Sequence, residues 1–72
     1  MAKPIEFKLK TEYITLGQLL KAADIVSSGA EAKDVLAQGG IYVNGELDCR
    51  RGRKLRPGDA VKLANGQEIR VD

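Results

Sequence analysis

Two helix-start signals in close succession set what this chain can fold into. Thr15-Leu16-Gly17-Gln18 and Ser28-Gly29-Ala30-Glu31 both match the capping box. In that motif a hydroxyl accepts from the third backbone N–H of the helix, and the Gln or Glu side chain reaches back. After the first signal, Leu16, Leu19, Leu20 and Ala23 recur at i, i+3, i+4 and i+7, one face of a helix; Gln18, Lys21 and Asp24 lie outside the stripe. After the second, Ala32, Val35 and Leu36 supply a shorter apolar face. Gly39 and Gly40 end the second helix, because glycine takes the left-handed conformation without steric cost. Only Ile25, Val26 and Ser27 are expected between the helices, and so short a connection makes them spatial neighbours.

The flanking segments read as strands. Ile5, Phe7 and Leu9 alternate with Glu6, Lys8 and Lys10, the period of a half-buried strand. Ile41-Tyr42-Val43 followed by Asn44-Gly45 is a strand-and-turn signal. Pro57-Gly58 marks a type II turn. The last stretch is a hairpin whose register follows from its apolar residues. A two-residue turn at Asn65-Gly66 would put Val61 and Leu63 on one face and Ile69 and Val71 on the other. A three-residue loop, Ala64-Asn65-Gly66, pairs Val61 with Ile69 and keeps all four on one face, with Gly66 left-handed. The fold class expected is therefore α+β, two adjacent helices packed on a small, mainly antiparallel sheet. With 72 residues the chain is read as a single domain, 1–72.

Several chemistries lack their residues. There is no histidine and one cysteine, Cys49, so neither a zinc site nor a Cys-His nucleophile pair is available. Ser27 and Ser28 are explained as helix-start residues. No glycine motif that cradles phosphates occurs, and the ten carboxylates are spread along the chain. The chain is read as a non-enzyme without cofactor, metal or small-molecule substrate. It has no apolar run of the roughly 18 residues a membrane span needs, and its first residues lack the apolar core of a secretory signal. A reduced, cytoplasmic setting is expected.

The charge is unevenly placed. Arg50, Arg51, Arg53, Lys54 and Arg56 put five cations in seven residues with no acid among them. The whole chain is only +2, so the remainder carries −3. This segment has no period and contains Gly52, and is read as a loop. Arginine forks match phosphate oxygens, and clustered like charges repel unless an anion relieves them. Aromatics are few: Phe7 and Tyr13 are assigned to core or semi-core positions, and Tyr42 is open to stacking or packing. The composition suits recognition of structured RNA through phosphates and 2′-hydroxyls.

The segment from Ile14 to Gly45 resembles the ribosomal protein S-four-type RNA-binding domain, also called the αL motif. The matching residues are Leu16, Leu19-Leu20, Ser27-Ser28, Ala30-Glu31-Ala32-Lys33, Gly39, Ile41 and Val43-Asn44-Gly45, with Pro57-Gly58-Asp59 and Val61 later. The basic run resembles the small stand-alone bacterial members, the YaaA/YbcJ-like proteins. The resemblance implies RNA bound across the helix pair and an adjoining basic rim, with Ser28 and Lys33 on the RNA-facing edge of the second helix. The chain departs from the family pattern at Thr15 and Gly29, where Arg is frequent, and at Gly17, where Asp is frequent. The Arg50–Arg56 segment is inferred to supply the missing charge, with Lys21 extending the surface.

The function expected is binding of structured RNA, ribosomal or transfer, by a monomeric accessory or ribosome-assembly factor, on free RNA or on ribosomal particles. A protein-interaction adapter and a duplex DNA-binding module are the alternatives. Lys33 alone is poor equipment for a helix reading a major groove. Reversal of Arg50, Arg51 and Arg53 to Glu is expected to abolish RNA binding and spare the fold.

Overall fold

The structure, a computed structural model, describes residues 3–72. The elements run β1 (Ile5–Phe7), β2 (Ile14–Thr15), α1 (Leu16–Ala22), α2 (Gly29–Gln38), β3 (Tyr42–Val43), β4 (Glu46–Leu47), β5 (Lys54–Leu55), β6 (Ala60–Lys62) and β7 (Glu68–Val71). The larger sheet has the order β1-β7-β6-β3-β4, and β2 and β5 form a separate pair. All pairings are antiparallel except that of β1 with β7, which is parallel and sets Ile5 against Ile69. The architecture is the α+β arrangement of two helices and a mainly antiparallel sheet.

Each helix starts where a hydroxyl stands. Thr15 caps α1, its Oγ accepting from the Gln18 N–H, while Gln18 Oε1 accepts from the Thr15 N–H. Ser28 Oγ accepts from the Glu31 N–H and caps α2. The second box closes differently from the sequence expectation. Glu31 reaches back to Ser27, where one carboxylate oxygen accepts from both the backbone N–H and the hydroxyl, the latter at 2.6 Å. Two donors on one residue outcompete the single N–H of Ser28. They hold the Glu31 carboxyl below its ordinary value.

The connection between the helices is also longer than Ile25–Ser27. α1 stops at Ala22 because Asp24 turns left-handed, at φ 62°. The Asp24 N–H donates to the Lys21 carbonyl and the Ile25 N–H to the Leu20 carbonyl, the paired bonds of a Schellman motif. Aspartate tolerates the left-handed region better than most residues, so the apolar stripe extends one residue beyond the helix itself.

Leu16, Leu19 and Leu20 of α1 meet Ala32 and Leu36 of α2 in one cluster with Val43, Leu55, Val61, Ile69 and Val71. The final hairpin has Val61 opposite Ile69 and Gly66 at φ 90°, as the three-residue loop requires. Asn44 and Gly45 are both left-handed, at φ 52° and 86°, the backbone of a type I′ turn joining β3 to β4. Gly58, at φ 101°, follows Pro57 in a turn closed by the Asp59 N–H and the Arg56 carbonyl, consistent with type II. The reading of Arg50–Arg56 as a loop fails at its end. Lys54 and Leu55 form β5, pairing with Thr15 and Ile14. Leu55 is fully buried, a contribution of about 1.5–3 kcal/mol that no surface loop would make.

Gly40 and Gly29 make a controlled pair for testing backbone demand. Gly40 sits at φ 84°, and an added Cβ would lie 2.8 Å from the Ala64 Cβ; Gly29 has open space around it and no positive φ. Gly40→Ala should cost about 2 kcal/mol, seen as a fall in Tm of roughly 8–16 °C. Gly29→Ala should leave Tm unchanged or raise it by a few degrees.

Candidate nucleic-acid interface

The first N–H groups of a helix lack intrahelical partners, and in α1 the basic segment provides them. The Leu16 N–H donates to the Arg53 carbonyl at 2.8 Å and the Gly17 N–H to the Arg51 carbonyl at 2.9 Å. Gly17 leaves the room that the Arg51 side chain occupies here. A Cβ there would stand 2.5 Å from Arg51 Cγ and 3.4 Å from the Arg51 carbonyl oxygen. The glycine that departs from the family pattern is thus the surface on which the basic segment lies. Sequence reasoning noted it only as a departure from the Asp frequent in the family.

An internal anion organises the start of that segment. Asp48 is 7% exposed. Its Oδ1 accepts from the Arg50 backbone N–H at 2.9 Å and from Arg50 Nε at 3.2 Å; its Oδ2 accepts from Arg50 Nη2 at 3.0 Å and Arg53 Nη1 at 2.7 Å. The Arg50 fork beside it, then Arg53, then the Arg50 N–H hold the Asp48 carboxyl far below the usual carboxylate range, against the opposing effect of burial. At the far end, Asp59 accepts from the Arg56 N–H at 2.8 Å and from Asn44 Nδ2 at 3.0 Å. The Arg56 N–H lowers the Asp59 carboxyl as well, with Asn44 adding to it.

The residues singled out in the sequence fall into three groups. Lys21 and Arg51 line one hollow of about 270 Å³ with Gly17, Gln18, Gly29 and Ala32, between the helices and the basic segment. Ser28 immediately precedes Gly29, its oxygen already accepting from Glu31. Lys33 lies one turn beyond Gly29, on the same side of α2 by helical spacing, and is exposed. Arg50 and Arg53 are engaged with Asp48, although Arg50 keeps 72% of its side chain exposed and Arg53 27%. Lys54 lies over the Tyr13 ring, 4.9 Å from its centroid, and Arg56 is exposed beside the Pro57 turn. Tyr13 is 38% exposed, not a core residue. Its neighbour Ile14 takes the inward position against Leu55, and alternation turns Tyr13 outward.

Asp48 was legible as an acid two residues ahead of the arginine run, but a count that begins at Arg50 passes over it. Its presence changes which residues are available for reversal. Glutamates at positions 50 and 53 would face a buried carboxylate, so the triple reversal expected to spare the fold would instead break it. Among the described residues no cluster of three or more His, Cys, Asp or Glu is placed to hold a metal ion, and no helix is long and apolar enough to cross a membrane.

The Asp48 network yields a test in solution. Asp48→Asn should lose about 2–3 kcal/mol at neutral pH, a drop in Tm of roughly 10–20 °C. Because the folded carboxyl titrates below its ordinary 3.8, the unfolded chain takes up the proton first. The Asp48 contribution is therefore whole well above pH 3.8 and is lost as pH falls below it. Unfolding curves between pH 6 and pH 2 should show a shallower acid slope in Asp48→Asn than in the wild type; parallel slopes would refute the assignment.

Comparison with known proteins identifies the family. The family model described as the S4 domain matches residues 7–72. A Bacillus subtilis (strain 168) protein described as a probable ribosome maturation protein, RlbA, is 52% identical over 63 residues, covering 88% of this chain and 86% of that protein. With nearly the whole chain matched, helix pair, basic segment and closing hairpin included, the protein belongs to the S4 domain family.

Proposed function

We propose that this chain binds structured RNA, ribosomal or transfer, through Arg51, Lys54, Arg56, Lys21 and Lys33, with Ser28 at the edge, as a non-catalytic ribosome-assembly accessory. The observation that carries this reading is the docking of the Arg51 backbone on Gly17, which sets Arg51 beside Lys21 around one hollow. Cations fixed by backbone hydrogen bonds on a rigid element can follow a phosphate path without first being ordered. Arg50 and Arg53 act mainly by shaping the segment, and their guanidiniums add positive field that Asp48 only partly offsets. On this reading the chain works as a single domain and a monomer, in the cytoplasm, on RNA or on ribosomal particles. The ribosome-maturation description of the Bacillus relative supports this setting.

Duplex DNA is a weaker fit. α2 exposes Lys33 between Glu31 and Asp34, so a major groove would meet more acid than base along this helix. A protein adapter would use the same cations on an acidic partner, and a complex that survives nuclease treatment would identify it.

Five cations at phosphates correspond to a slope of about −4 to −5 in log affinity against log salt on duplex-like RNA. Arg51→Gln should lower the magnitude of that slope by about 1. A Lys21→Gln, Arg51→Gln, Lys54→Gln, Arg56→Gln variant, which leaves Asp48, Arg50 and Arg53 intact, should keep its circular dichroism and thermal transition. Its affinity for structured RNA should fall by about 100-fold or more at low salt. Unchanged affinity in that folded variant overturns the RNA-binding reading, and equal affinity of the wild type for duplex DNA of the same length overturns the preference for RNA.

A further inference from the structure

A second hollow adjoins the one lined by Lys21 and Arg51. It holds about 510 Å³ and is bounded by Thr11, Tyr13, Ile14, Gln18, Lys21 and Ala22. Gln18 and Lys21 line both hollows, so the two adjoin along α1. Their chemistry differs. They share Lys21, but only the first has a second cation, Arg51, and only the second has an aromatic wall, the Tyr13 ring, flanked by Ile14 and Ala22. Tyr13 is one of the few large apolar side chains left exposed, at 38%. The Lys54 ammonium stands 4.9 Å from the ring centroid and is not among the residues that line the hollow. The Thr11 hydroxyl donates to the Tyr13 carbonyl at 2.8 Å and fixes the backbone beneath it. On the shared rim, the Gln18 Oε1 is occupied by the α1 cap, but its amide NH2 retains two donors that the cap does not use.

A hollow with two cations beside one with an aromatic wall matches one nucleotide rather than a bare backbone. Phosphate suits Lys21 and Arg51, while a flat heterocycle suits Tyr13. A base inside a helix has both faces covered by its neighbours and cannot reach such a wall. Sequence-tolerant stacking on an aromatic side chain requires an unpaired base. Resting on the RNA-binding reading above, we infer that Tyr13 and the hollow beside α1 receive an unpaired nucleobase, so that the preferred ligand is structured RNA carrying a bulged or looped-out nucleotide. The hollow is of the size of ordinary small-ligand sites, about 300–1,000 Å³, but open, so it takes a base that swings in from a bound strand. Gln18 adds hydrogen-bond donors at the edge of that base, and Lys54 adds a cation behind the ring.

Two RNA hairpins that differ only in whether one adenosine is unpaired or paired provide the test, with 2-aminopurine at that position as the fluorescent probe. The wild type should bind the bulged hairpin about 10-fold or more tightly than the paired one, with the probe quenched on binding. Tyr13→Ala should erase the preference and the quenching while leaving the salt slope and the circular dichroism of the folded state as they were. Tyr13→Phe should restore both, because the ring and not the hydroxyl stacks. Equal wild-type affinity for the two hairpins overturns the inference, as does a Tyr13→Ala variant that weakens both hairpins alike. Failure to bind either hairpin at low salt instead removes the RNA-binding reading on which the inference rests.

Discussion

The carbonyl oxygens of Arg51 and Arg53 close the open end of α1, and much of the structure follows from that contact. A seven-residue helix is too short to persist alone in water. Here its first N–H groups go to Arg53, Arg51 and the Thr15 hydroxyl, so it begins fully bonded. The same contact lines up β5 with β2, and that pairing delivers Leu55 to the core cluster that also holds Leu16 and Leu19. Helix, basic segment and core are consequently parts of one assembly. Loosening any of them exposes the polar groups of the others.

The charges fit the same scheme. Five cations in a short segment would push one another apart, and the relief comes from within the molecule at Asp48. One carboxylate in bidentate contact with Arg50, and shared with Arg53, leaves the segment positive but shaped. The cations divide into those that build the surface and those that present it. Arg53, mostly covered, belongs to the first kind; Arg51, Lys54 and Arg56, exposed, belong to the second. Gly17 makes this division possible because a Cβ there would stand 2.5 Å from Arg51 Cγ and displace that side chain.

What the sequence disclosed was local. The Thr15 and Ser28 caps, the Asn44-Gly45 turn and the Val61–Ile69 register all depend on residues within a few positions of one another, and each is where local chemistry puts it. What it concealed was long-range. The pairing of Lys54 with Thr15 joins segments far apart in the chain, so no periodicity within Arg50–Arg56 signals it. The parallel partnership of β1 with β7 is similarly invisible to any local window. Glu31 chose Ser27 over Ser28 by a margin of one extra donor, a competition visible only once the backbone is in place. Of the candidate surface, the cations were legible as a cluster. Tyr13 was misassigned because its outward direction is set by Ile14 pairing with Leu55, another nonlocal contact.

The two aspartates at either end of the basic segment have a consequence for motion. Asp48 pins Arg50 and Arg53, and Asp59 pins the Arg56 N–H and, through Asn44, the β3–β4 turn. Between these anchors the Arg51 and Arg53 carbonyls are tied to α1. A strip fastened at so many points has little slack with which to mould itself to a visitor. The accommodation in any encounter therefore falls to the visitor: a partner that can bend or splay will seat, and one that is stiff and of the wrong curvature will be turned away.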